Sequence, residues 1–158
     1  MGRPLFPSGP GAFTTRAGES SVIGIVLAGH GGIAEGFRDA AEMILGPQPQ
    51  LAVVPLRPAE NLDEYRDRLA AAVAEVDAGD GALVLADLFG GSPCNTAAYV
   101  LTPRTEVVAG VSLPMLLEVL GARQRAALAD LVRIALAAGQ EAPVRLADRL
   151  GTGAPATP

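Results

Sequence analysis

From Val22 to Leu146, short continuous apolar runs alternate with longer segments whose apolar residues recur every three or four positions. The short runs read as buried strands and the longer segments as amphipathic helices. Val22–Ala28 predicts a first strand. Ile33–Leu45 places Ile33, Phe37, Ala41, Ile44 and Leu45 on one helical stripe, which ends at Gly46-Pro47. Leu51–Leu56 predicts a second strand. Asn61 then caps a helix with Glu64 in the capping-box position and Leu62, Tyr65, Leu69, Val73 and Val76 on its apolar face. Ala82–Ala86 predicts a third strand. Ser92 as N-cap and Pro93 as first helical residue predict a helix running towards Leu101. Glu106–Ala109 follows as a short fourth strand, and Ser112 with Pro114 starts a short helix to about Leu120. A last helix, about Arg125–Ala138, is expected to stop at Gly139, with Val144–Leu146 as a small final strand.

Strand and helix in alternation predict an α/β fold: an open, mostly parallel sheet with helices on both faces. Right-handed crossovers leave few topologies, and strand order 2-1-3-4 is the simplest. In that order the first and third strands are neighbours at the switch point. Residues 1–20 and 149–158 combine Pro and Gly with few apolar residues and read as disordered tails around one domain over 21–148.

Composition narrows the chemistry. The chain has 158 residues, 49% of them apolar and 4% aromatic, so its core consists of small aliphatic layers. Seventeen acids against twelve basic residues give −5, which argues against nucleic acid and anionic membrane surfaces as partners. Every basic residue is Arg, so Schiff-base chemistry and a P-loop lysine are excluded. Cys94 is alone and forms neither an internal disulfide nor a Cys-based metal site. Residues 1–20 lack the apolar core of a signal peptide, and no stretch has the apolar length of a membrane span. A cytoplasmic protein is expected, with no metal and no cofactor.

The only histidine, His30, stands in Gly29-His30-Gly31-Gly32 at the carboxyl end of the first strand. Asp87 ends the third strand, so the two side chains are expected to face each other across the crevice. A histidine that carries a phosphoryl group needs one free ring nitrogen, an acceptor on the other, and donors for the transferred oxygens. Asp87 supplies the acceptor. Gly90-Gly91-Ser92-Pro93 offers backbone N–H groups and a hydroxyl at a helix start, and Gly31-Gly32 offers a second set. Phosphoryl transfer depends chiefly on such positioning and electrostatics.

Three segments together are specific: Gly29-His30-Gly31, Asp87 through Asn95 (DLFGGSPCN), and Ala109 through Glu118 (AGVSLPMLLE). In order and spacing, from about Val22 to about Leu146, they resemble the enzyme IIA domain of the mannose-type sugar phosphotransferase system. Pro58-Ala59-Glu60-Asn61 is similar to that family's Pro-Gly-Glu-Asn loop, with Ala59 in place of Gly. The resemblance implies a phosphocarrier. It implies that His30 accepts a phosphoryl group on its tele nitrogen from the histidine phosphocarrier protein and passes it to enzyme IIB. That partner serves sugar uptake through membrane IIC and IID components, so peripheral association with a permease complex is implied as well. Asp87 matches the carboxylate that holds the ring, and Gly31, Gly90, Gly91 and Ser92 match the phosphate side. A homodimer is also implied, in which a C-terminal strand crosses between subunits, with Val144–Leu146 as its candidate here.

No fused IIB domain is expected, and the proline-rich first residues lie outside the pattern. Two neighbouring readings remain open: a domain whose phosphorylation state is read by a partner, and a phosphotransfer subunit feeding a dihydroxyacetone kinase. The relatives of the second kind usually have Ser after the histidine, where Gly31 stands here. A hydrolase would want a Gly-x-Ser-x-Gly elbow, which is missing, and a histidine phosphatase would want Arg where Gly29 is.

Overall fold

A computed structural model describes residues 22–151. Four strands, β1 (Gly24–His30), β2 (Leu51–Leu56), β3 (Ala82–Ala86) and β4 (Thr105–Ala109), form one sheet in the order β2-β1-β3-β4. Every neighbouring pair is parallel, as the alternation with helices requires. β1 runs two residues beyond the expected end at Ala28, because Gly29 and His30 pair with Pro55 and Leu56 of β2. Pro55 is accommodated because β2 is an edge strand.

The two sheet faces take alternate residues of the central strands. Ile25 and Leu27 of β1 with Leu83 and Leu85 of β3 pack beneath α1 (Ile33–Leu45), α4 (Leu113–Ala122) and α5 (Leu128–Glu141). Val26, Ala28 and Val84 pack against α2 (Leu62–Val76) and the segment that begins with α3 (Ser92–Ala97). Both layers are small and aliphatic, and buried Tyr65 of α2 is the exception. Its hydroxyl donates to the Val54 carbonyl at 3.0 Å. Burial pushes that hydroxyl far above the usual tyrosine range.

Several boundaries differ from expectation. The helix towards Leu101 is α-helical only to Ala97 and tightens into a single 3-10 turn over Ala98–Val100. Ser92 is its first helical residue and not its cap: extended Gly91 occupies that position, and no side chain caps the helix. α5 passes through Gly139, which lacks the left-handed conformation of a helix-ending glycine and instead faces the neighbouring helix. A Cβ at that position would stand 2.6 Å from Met115 Cε of α4. α5 ends before Pro143 instead.

The strand expected at Val144–Leu146 is absent. Val144 lies in a loop, and Leu146 opens a short helix, α6 (Leu146–Leu150), spanned by an Arg145–Asp148 contact and ended by left-handed Gly151. Arg149 and Leu150, expected in a disordered tail, therefore belong to α6. The expected tail over 1–20 and the remainder of the C-terminal one, residues 152–158, lie outside the described residues.

Arg123, which the sequence pattern does not single out, is the one charged residue among the buried polar groups of the described chain, at 2% exposure. It donates to the Pro49 and Gln50 carbonyls and to Gln48 Oε1, tying the end of α4 to the turn before β2. Burial lowers its pKa from the ordinary arginine value.

Candidate functional site

β1 and β3 are adjacent and parallel, so their carboxyl ends open at the same edge of the sheet, where ligands collect in open α/β folds. His30 is the last residue of β1, and Asp87 immediately follows β3. Backbone bonds lock the pair of chain ends: Asp87 N–H donates to the Ala28 carbonyl and Gly31 N–H to the Leu56 carbonyl.

Asp87 Oδ2 accepts twice from His30, once from the backbone N–H and once from ring Nδ1, each at 2.8 Å. Burial pushes the Asp87 carboxyl up, but the His30 backbone N–H, the ring and the Leu88 N–H outweigh it and hold the group below the usual carboxylate range. An ionised carboxylate only accepts, so Nδ1 carries a proton, and in the neutral tautomer this fixes, the lone pair lies on Nε2. The Asp87 side chain is nearly enclosed at 9% exposure, whereas that of His30 is 48% exposed. Nδ1 is held by the carboxylate while the side chain as a whole stays half-exposed.

The remaining residues expected at the site divide into two groups. Gly31 and Ser92 line an open cleft of about 390 Å³ together with His30. Gly90 and Gly91 lie outside that lining. Gly91 instead backs the imidazole, where a Cβ would come within 2.8 Å of His30 Cε1. Asn95 closes this loop by donating from Nδ2 to the Gly90 carbonyl at 3.0 Å. The opposite wall is the segment after β2: Leu56, Arg57, Pro58, Ala59, Glu60 and Leu62. Pro58 to Asn61 of that segment is the stretch similar to the family's Pro-Gly-Glu-Asn loop, whereas Arg57 stands just before it and carries no sequence signal of its own. Cys94 is half-buried and unbonded to another cysteine.

A sequence model of the family described as "PTS system fructose IIA component" matches residues 24–136. The mannose-specific EIIAB component of Escherichia coli strain K12 is 38% identical over 122 residues, covering 75% of this chain and 38% of its own length. The chain thus spans well under half of that relative. The fructose-specific EIIA component of Bacillus subtilis is 33% identical over 122 residues, which cover 76% of this chain and 84% of that protein. Among solved structures, the phosphotransferase system component EIIA of Streptococcus agalactiae superposes with a TM-score of 0.72 at 26% identity. That superposition covers 80% of this chain and 98% of the other.

Proposed function

The chain belongs to the mannose-type enzyme IIA family of the sugar phosphotransferase system, and from that premise we propose that it is a phosphocarrier working through His30. The observation that carries this reading is the asymmetry of the imidazole, with Nδ1 bound to the nearly enclosed Asp87 side chain and the ring half-exposed in the cleft. Nε2 forms a bond to the phosphorus of a donor phosphohistidine as the bond from phosphorus to the donor ring breaks. The electron pair of that breaking bond returns to the donor. The Nδ1 proton stays on His30 throughout, so the phosphorylated ring is cationic and faces the Asp87 carboxylate. Transfer onward runs in reverse, with the acceptor's histidine attacking the same phosphorus.

In this reading the donor is the histidine phosphocarrier protein and the acceptor is enzyme IIB, whose membrane partners admit the sugar. Gly31 and Ser92 form the phosphate side of the cleft, while Gly90 and Gly91 shape the loop behind the ring. A cytoplasmic location with peripheral attachment to a permease complex fits the described residues, where no helix is long and apolar enough to cross a membrane. A homodimer belongs to the same reading. Its support is the outer edge of β4, which pairs with no further strand among the described residues, and the exposed Val144, Leu146 and Leu150.

Intact mass after incubation with phosphoenolpyruvate, enzyme I and the histidine phosphocarrier protein tests the proposal. One acid-labile phosphoryl group is expected on the native chain and none on His30→Ala. A phosphoryl group that persists in His30→Ala rules out the assigned acceptor.

A further inference from the structure

Among the described residues, Arg57 is the only arginine lining the cleft that contains His30. It directly follows Leu56, the residue of β2 in register with His30. Its backbone is fixed there, because its N–H donates to Glu60 Oε2 at 2.9 Å. Glu60 in turn is held by Arg68, which also donates to the Pro55 carbonyl at 2.6 Å. The Arg57 side chain is 55% exposed, and among the described residues its guanidinium makes one contact, from Nη2 to Oε1 of Glu35 on α1 at 2.6 Å. The contact is single-pronged: Glu35 Oε2 is buried without a hydrogen-bond partner. Arg57 therefore keeps several donors uncommitted, in a fork geometry that matches phosphate oxygens.

The charges of the cleft give this arrangement a purpose. Arg68 already pairs with Glu60 of the cleft wall, whereas a phosphoryl group on His30 adds about two negative charges to a ring already held by the Asp87 carboxylate. Arg57 is the side chain placed to balance them, and while His30 is unmodified Glu35 balances Arg57. We propose that Arg57 binds the phosphoryl group on His30, released for that task from Glu35, which competes with the phosphoryl oxygens for the same guanidinium. This inference rests on His30 being the phosphoryl acceptor and adds the cation that stabilises the transferred group.

The test uses a small donor, so that partner docking does not enter. With phosphoramidate, Nε2 of His30 attacks phosphorus, the phosphorus–nitrogen bond breaks, and ammonia leaves. Phosphohistidine is then followed by phosphorus NMR and intact mass in the full chain. Arg57→Gln is expected to form it about 10-fold more slowly, the scale of one charge-assisted hydrogen bond, with Arg57→Lys recovering much of the rate. Glu35→Gln is expected to act in the opposite direction and to speed formation, because it frees the guanidinium. An ion pair that only supported the fold would make Glu35→Gln and Arg57→Gln fail alike, and that outcome overturns the proposal. So does an Arg57→Gln rate equal to that of the native chain. Label that fails to form on the native chain, or that survives in His30→Ala, sinks the acceptor assignment and this inference with it. Normal labelling with indifferent Arg57 variants sinks this inference alone.

Discussion

At the scale of single residues, Asp87 does two jobs with one oxygen, since Oδ2 holds both the backbone and the ring of His30. Asp87→Asn keeps the shape but loses the charge that fixes the tautomer and faces the phosphorylated ring. His30 should still be labelled, about 10- to 100-fold more slowly in a rapid-quench assay, the scale of a hydrogen bond to a charged group. Because the folded pKa of Asp87 lies below its unfolded value, its ionised contacts stabilise the fold above that unfolded value. The contribution disappears as pH falls through the folded value. Urea denaturation should thus show the native chain more stable than Asp87→Asn at neutral pH, with the gap closing below about pH 4. Ala59 makes a different prediction. It adopts φ 58°, a left-handed conformation that costs a residue bearing a Cβ about 1–2 kcal/mol. Ala59→Gly removes that cost and adds some chain entropy to the unfolded state, so the expected gain is up to about 1 kcal/mol by chemical denaturation. The family loop that the sequence resembles has Gly at this position, and the backbone conformation supplies the physical reason.

At the scale of elements, helix starts decide which residues are structural. Asn61 Oδ1 accepts from the N–H groups of Asp63 and Glu64, which caps α2 as the sequence predicts. Ser92 was expected to do the same for α3, but Gly91 enters the helix in its place and the hydroxyl makes no cap bond. The two cap candidates therefore separate in a thermal melt. Asn61→Ala should cost about 1 kcal/mol, while Ser92→Ala should leave stability within about 0.5 kcal/mol of the native chain. A loss at Ser92 equal to that at Asn61 would restore it as a cap. Cap composition was legible in both places, yet only the backbone angle at Gly91 decided which residue stood outside the helix. Gly139 has the same lesson: a glycine that looked like a stop is a contact point between α4 and α5.

At the scale of the whole molecule, sheet order is what creates a site. Because β1 and β3 are neighbours, His30 and Asp87 meet although 57 residues separate them. Both outer strands of the sheet, β2 and β4, have an unpaired edge among the described residues. β2 carries Pro55, which blunts its edge, whereas β4 has no proline, and open edges invite a further strand or a second copy. Sedimentation equilibrium should give twice the 16.0 kDa chain mass at micromolar concentration, and a single monomer mass would remove the homodimer from the proposed function. What the sequence by itself determined is local or periodic: the parallel α/β order, the strand ends that bear His30 and Asp87, the Asn61 and Ser112 caps, and the family pattern. Each element and motif among them depends on spacings within a few residues, where hydrophobic period and turn chemistry suffice, and the family pattern adds only the order of those motifs along the chain. Only the tertiary structure decided that Val144–Leu146 forms no strand here, that Arg123 is buried, and that Arg57 meets Glu35 and lines the same cleft as His30. Each of these depends on which distant side chain occupies the neighbouring volume, and packing in three dimensions, not residue type, settles it.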